Sequence, residues 1–117
     1  MFLSLSHKSL DIYKAVRELV KETYKISLIL PSEEKYNMVQ QIRRAALSVK
    51  LNIAEGSTRK SSAERKRFLE ISRGSLVEID AAPETAVDLN YFTSNQLEAI
   101  NALLNRCFAM LSKMINQ

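Results

Sequence analysis

The sequence predicts an all-α fold, an antiparallel up-down-up-down four-helix bundle, and three observations predict it. Only 2 glycines and 2 prolines occur in 117 residues, too few for the tight turns of an all-β chain. Apolar residues recur at three- and four-residue steps through four segments, and none alternates strictly. The breaks between segments are short, so consecutive helices should pack antiparallel. The expectation is a single domain over residues 1–117, with helices at about 10–29, 33–55, 62–90 and 95–116.

The first segment carries Tyr13, Val16, Leu19, Val20, Thr23 and Tyr24 on one face. Pro31 ends it, because proline lacks a backbone donor and biases Leu30 away from helix. Ser32 is the expected cap of the second helix, with Glu33 and Glu34 in a first turn that favours anions. Gly56 suits the left-handed position that closes such a helix. Ser61 and Glu64 form a capping-box pattern for the third helix. Its inner face is expected to hold Phe68, Ile71, Ser75, Leu76, Ile79, Ala82, Ala86 and Leu89. Pro83 interrupts this period and predicts a kink near Ala82, yet the period resumes in phase, so one kinked helix is expected. Thr93 to Gln96 offers another capping box. The fourth helix presents Leu97, Ile100, Leu104, Cys107, Phe108, Leu111 and Ile115, with Met110 and Met114 as core or interface filler.

The second helix carries more than a core face. At about 100° per residue, Met38, Ile42, Ala45, Ala46, Val49 and Ile53 fill one arc. Gln41, Arg44, Ser48, Asn52 and Glu55 form a polar strip on its flank. Leu47, Leu51 and Ala54 lie roughly opposite the core, either as ordinary surface residues or as a contact with another copy of the chain. The strip, through Arg44, Asn52 and Glu55, is expected to form a polar network with Glu78 or Asp80 on the third helix. Glu55 stands in a last turn that disfavours anions, which asks for a specific cation: Arg43, Arg44 or Arg59.

Net charge is +4, but residues 43–73 hold nine Lys/Arg against three Asp/Glu. Arg59 and Lys60 precede the third helix, Arg65, Lys66 and Arg67 follow its cap, and Arg73 lies further along. Cations in a helix's first turns oppose its dipole, at about 0.3–1 kcal/mol each. Helix stability alone would not select them, and their presence points to an anionic partner. A serine-rich loop beside a helix N-terminus could hold a phosphate. Nucleic acid is the obvious anion, although no helix-turn-helix, zinc-finger or RNA-recognition signature occurs. The bland alternative is a solvated charged face.

Catalysis finds no support. The one histidine, His7, stands near an end expected to fray. No His/Cys cluster has metal-ligand spacing, and no Glu-x-x-His pair could build a di-iron site. Two glycines make no phosphate-cradling loop. Cys107 reads as a buried small hydrophobe. With one cysteine, no intrachain disulfide can form. The start lacks a signal peptide's basic-then-apolar order, and no apolar run approaches the ~20 residues of a membrane span. Cytoplasmic localisation, no metal and no cofactor are the expectations.

The blocks Gln41 to Ser48, Asn52-Ile53-Ala54-Glu55-Gly56 and Phe68 to Glu78, together with Leu10 to Tyr13 and Leu30 to Glu34, resemble a bacterial family. It is the four-helix-bundle family found in open reading frames inside intervening sequences of 23S ribosomal RNA genes. The accessory variability proteins of diversity-generating retroelements look like relatives. The resemblance implies a bundle that assembles into a five-fold ring, without catalysis. It also implies binding to nucleic acid and, in the retroelement relatives, to a reverse transcriptase. By motif position Arg43, Arg44, Arg59, Lys60 and Arg73 would be the cations concerned. Val49-Lys50-Leu51 departs from the family, where proline often stands, and Pro83 replaces a helix former.

These readings lead to a non-enzymatic homo-oligomer, a pentamer, that binds nucleic acid, RNA in particular, through a basic surface. The alternative is a structural adaptor that docks a protein partner such as a reverse transcriptase without touching nucleic acid itself.

Overall fold

The computed structural model describes residues 2–117. Four α-helices form the bundle: α1 (Asp11–Ser27), α2 (Met38–Gly56), α3 (Ser62–Asp88) and α4 (Glu98–Ile115). Short 3-10 turns occupy Ser6–Ser9, Ser32–Glu34 and Ser94–Leu97. The helices pack in a ring, α1 on α2, α2 on α3, α3 on α4 and α4 back on α1, which is the up-down-up-down arrangement. Leu19, Ile42, Ile53, Leu76, Ile79 and Leu111 are fully buried at its centre. Each such side chain contributes about 1.5–3 kcal/mol by leaving water.

Local chemistry sets most boundaries. The Ser61 hydroxyl accepts the Glu64 N–H at 3.0 Å and starts α3. Thr93 and Gln96 complete a reciprocal capping box ahead of α4. The end of α3 is closed by Asn90, whose φ of 64° is left-handed. The Tyr91 N–H reaches back to the Ala86 carbonyl and that of Asn90 to Val87, the paired bonds that satisfy a helix's last acceptors.

Several expectations need correction. The second helix starts at Met38 rather than about residue 33, and Ser32 caps nothing. Glu34 is used differently: its carboxylate accepts from Asn37 Nδ2 at 3.1 Å and from the Tyr91 hydroxyl at 3.0 Å. That bond ties the α1–α2 turn to the α3–α4 turn and raises the Tyr91 pKa, since the carboxylate favours the protonated phenol. Gly56 does not adopt a left-handed conformation. It is glycine because α3 passes close by: a Cβ there would lie 2.6 Å from Phe68 Cβ. As expected, α3 is a single helix and runs unbroken past a buried Pro83. Ile71, Leu89 and Phe108 are 43%, 50% and 44% exposed. The buried stripes are narrower than expected, Ser72–Ser75–Leu76–Ile79 on α3 and Leu104–Cys107–Leu111 on α4, and Ile71 and Phe108 stand one residue outside them.

Candidate subunit and nucleic-acid interface

The outward face of α2 holds the apolar pair. Leu47 is 39% exposed and Leu51 61%, one turn apart in an open, apolar hollow of about 580 Å³ edged by Arg43, Arg44 and Asn52. Ala54 is only half-exposed and packs against the core. It sits in the last turn, where the approach of Phe68 to Gly56 brings α3 over the helix. The outward face is therefore the two leucines and the side chains around them.

The polar strip beside them is bonded differently from expectation. Asn52 Nδ2 donates back to the Ser48 carbonyl at 2.8 Å and to Ser48 Oγ at 3.1 Å. Across the seam, Ser75 Oγ donates to Ser48 Oγ at 2.9 Å and Ser72 Oγ to the Val49 carbonyl at 2.7 Å. The α2–α3 network thus runs through serines. Glu78 and Asp80 are exposed, and among the described residues neither makes a side-chain hydrogen bond to this strip. Ser72 was not anticipated. Its signal was a hydroxyl inside an apolar period, since a buried polar group needs a partner. Glu55 finds its cation in Arg59, 2.7 Å away.

The eight candidate cations divide into two sets. Arg43 donates from Nε to Ser27 Oγ at 2.8 Å and lies over the Tyr24 ring at 4.8 Å, joining α1 to α2. Arg59 pairs with Glu55 and covers Phe68 at 5.1 Å. Arg65 Nη1 donates to the Arg59 and Lys60 carbonyls at 2.8 and 2.7 Å, so it clamps the α2–α3 loop. Arg73 donates to Ser112 Oγ at 3.2 Å and lies 5.7 Å over Phe108, joining α3 to α4. Arg44, Lys60, Lys66 and Arg67 are exposed and, among the described residues, make no side-chain hydrogen bond or ion pair. Three of these four, Lys60, Lys66 and Arg67, gather at the α2–α3 corner. The α3 N-terminus there is partly occupied, because Ser61 and Arg65 already satisfy the loop.

The remaining reactive groups are muted. His7 is buried against Tyr13, rings 4.7 Å apart, rather than frayed. Burial and then the Lys8 charge push its pKa below the usual value, so it is neutral near pH 7. Burial pushes the Cys107 thiol up to about 11, which keeps it from forming the nucleophilic thiolate. Among the described residues no group of three or more His, Cys, Asp or Glu is gathered for a metal. Among them no helix is long and apolar enough to cross a membrane.

The profile of one family, described as 23S rRNA-intervening sequence protein, matches residues 8–113. A crystal structure of a protein of unknown function from Bacteroides thetaiotaomicron, assigned to the S23 ribosomal protein family, superposes with a TM-score of 0.82. It is 24% identical, over 91% of this chain and 99% of that one, and the likeness is one of fold. No curated protein matches the chain.

Proposed function

Because the chain belongs to the 23S rRNA-intervening sequence protein family, we propose that it is a non-enzymatic homo-oligomer, a ring of five copies, that binds RNA through a repeated basic surface. The observation that carries this reading is the outward face of α2. Leu47 and Leu51 stand exposed where a lone bundle gains nothing from leucine, and covering what remains exposed would contribute about 1 kcal/mol each. Lys60, Lys66 and Arg67 at the α2–α3 corner supply phosphate contacts that are weak singly. Repetition around a ring raises their joint avidity.

A second reading, an adaptor that docks a protein such as a reverse transcriptase without touching nucleic acid, is supported by one observation. Arg43, Arg59, Arg65 and Arg73 are tied to other groups of the chain, which leaves half of the candidate cations without such a tie to meet RNA.

Light-scattering mass of the full chain tests the ring first. The expected mass is about five times 13.3 kDa, falling to that of one copy in Leu47→Lys/Leu51→Lys. A wild-type monomer overturns the ring. RNA affinity should then fall steeply with salt and drop in Lys60→Ala/Lys66→Ala/Arg67→Ala at unchanged mass. Affinity indifferent to the triple substitution overturns the basic-surface reading, and the absence of RNA binding in the wild type favours the adaptor.

A further inference from the structure

We propose that residues 2–9 are a pH-operated latch: the neutral ring of His7 holds the Ser6–Ser9 turn on α1 and α2, and protonation of that ring releases it. The latch needs neither a ring of copies nor RNA. Within residues 2–9 His7 alone is buried, at 4% exposed, while Lys8 is half-buried and the others are exposed. The apolar side chains of Phe2, Leu3 and Leu5 hold nothing down. Among the described residues, the hydrogen bonds of this segment stay within residues 3–10. Lys8 Nζ donates to the Leu3 carbonyl, Ser9 Oγ to the Ser6 carbonyl at 2.9 Å, the Lys8 N–H to the Leu5 carbonyl at 3.2 Å and the Leu10 N–H to the His7 carbonyl at 3.1 Å. No salt bridge among those residues joins the segment to a helix. One side chain therefore carries the attachment of the turn to α1 and α2.

That side chain fits its place only while it is neutral. Its ring meets the Tyr13 ring edge to face, and its Nδ1 is buried with no hydrogen-bond partner among the described residues. In a neutral imidazole with its proton on Nε2, Nδ1 presents only a lone pair. Protonation puts an N–H and a charge there, and the buried donor then has no acceptor. The surrounding groups do not offset this. Lys8, in the turn itself, opposes the added charge. α1 contributes the exposed Asp11 and Lys14, and Asp11 makes no salt bridge with His7 among the described residues. The Tyr13 ring attracts an imidazolium, but Lys50 of α2 already lies 5.8 Å from its centroid, and two cations at one ring repel.

Burial, then the charge of Lys8, lowers the His7 pKa below the ordinary histidine value. The docked turn therefore binds its proton more weakly than the released one. Docking has its full strength above the ordinary value, about 6.5, and weakens as pH falls through the lowered one. A turn held by a single residue opens at small cost, so it responds in this range while the helices stay folded. Release uncovers the side of Tyr13 that His7 covers, next to Lys50.

His7 is the only histidine, so its ring protons report the switch without overlap. The test follows them in the full chain by NMR from about pH 8 to about pH 5, with the contact between the His7 and Tyr13 rings read from their cross-peak. The ring should titrate below the ordinary histidine value. The cross-peak should vanish, and the Ser6–Ser9 amides should move to unstructured values, with the same midpoint, while the helical circular dichroism holds. His7→Phe, which buries a ring that takes no proton, should keep those amides at their docked values throughout. Asp11→Asn should leave the wild-type response in place. The proposal is overturned if the cross-peak survives protonation of the ring, if His7→Phe responds to pH as wild type does, or if Asp11→Asn abolishes the response. It also falls if the two rings show no cross-peak at the alkaline end, or if the helical signal is lost with the same midpoint.

Discussion

α3 takes part in two seams of opposite character. Towards α2 it presents Ser72 and Ser75, which bond to the Val49 carbonyl and to Ser48, and Phe68, which closes on the bare backbone of Gly56. Towards α4 it presents Val77, Asp80, Pro83 and Glu84, and the two helices leave a trough of about 380 Å³ at the turn end. Among the described residues a single side-chain hydrogen bond crosses that seam, from Arg73 to Ser112 Oγ at 3.2 Å, and the Ser112 side chain is half-buried. Small residues let helices approach until hydroxyls reach backbone. The other seam is looser, and Asp80, Pro83 and Glu84 line the space it leaves. One helix therefore combines a close-packed face and a looser one.

The largest effect should come from breaking the closed seam at its tightest point. Gly56→Ala places a methyl 2.6 Å from Phe68 Cβ. Because that atom is fixed to the α3 backbone, no rotamer change relieves the clash and the helices must separate. Alanine's better helix propensity, ~1 kcal/mol, offsets part of the cost. The expected outcome is a net loss of about 1–3 kcal/mol, read as a lower urea midpoint at unchanged slope. Stability equal to wild type would mean that α2 and α3 do not meet there.

A smaller contrast compares one hydroxyl in each seam. Ser72→Ala removes a fully buried donor to the Val49 carbonyl and should cost about 0.5–1.5 kcal/mol. Ser112→Ala removes the acceptor of an Arg73 bond whose guanidinium can turn to water, and should stay within about 0.5 kcal/mol. Chemical denaturation of the two variants side by side checks the order, and a reversed order would break the distinction between the seams.

How much of this was legible follows the range of the interactions. The four helices, the Ser61 cap and the Thr93–Gln96 box depend on residues within one turn, and periodicity and capping chemistry reveal them. The wheel of α2 likewise puts Leu47 and Leu51 outside. The start of α2 was hidden because Ser32-Glu33-Glu34 has the chemistry of a helix start, while Glu34 is used by Tyr91 from the far side of the chain. Gly56 was conspicuous as a residue type, but its reason is a neighbour in another helix rather than its own φ. The basic cluster shows the same limit. Counting finds the charges, but Arg43 reaches Ser27 and Arg73 reaches Ser112 across helix seams, and only packing tells a tied arginine from a free one. The α3–α4 trough left no trace in the periodicity, because carboxylates at its rim look like any solvated helix face.

The second glycine gives the smallest effect and the sharpest comparison. Gly74 lies within α3, exposed, and an added Cβ would meet nothing within 4 Å. In the isolated bundle Gly74→Ala should therefore stabilise by about 0.5–1 kcal/mol, since glycine loses more backbone freedom in a helix than alanine does. Gly56→Ala and Gly74→Ala, the same change in two helices, should move the urea midpoint in opposite directions. The measurement has a further use. If Gly74→Ala stabilises dilute protein but lowers the light-scattering mass of concentrated protein, the open space beside Gly74 is filled in the assembly by the backbone of another copy. If it stabilises at every concentration, that side of α3 stays free, and a subunit contact is confined to the leucine face of α2.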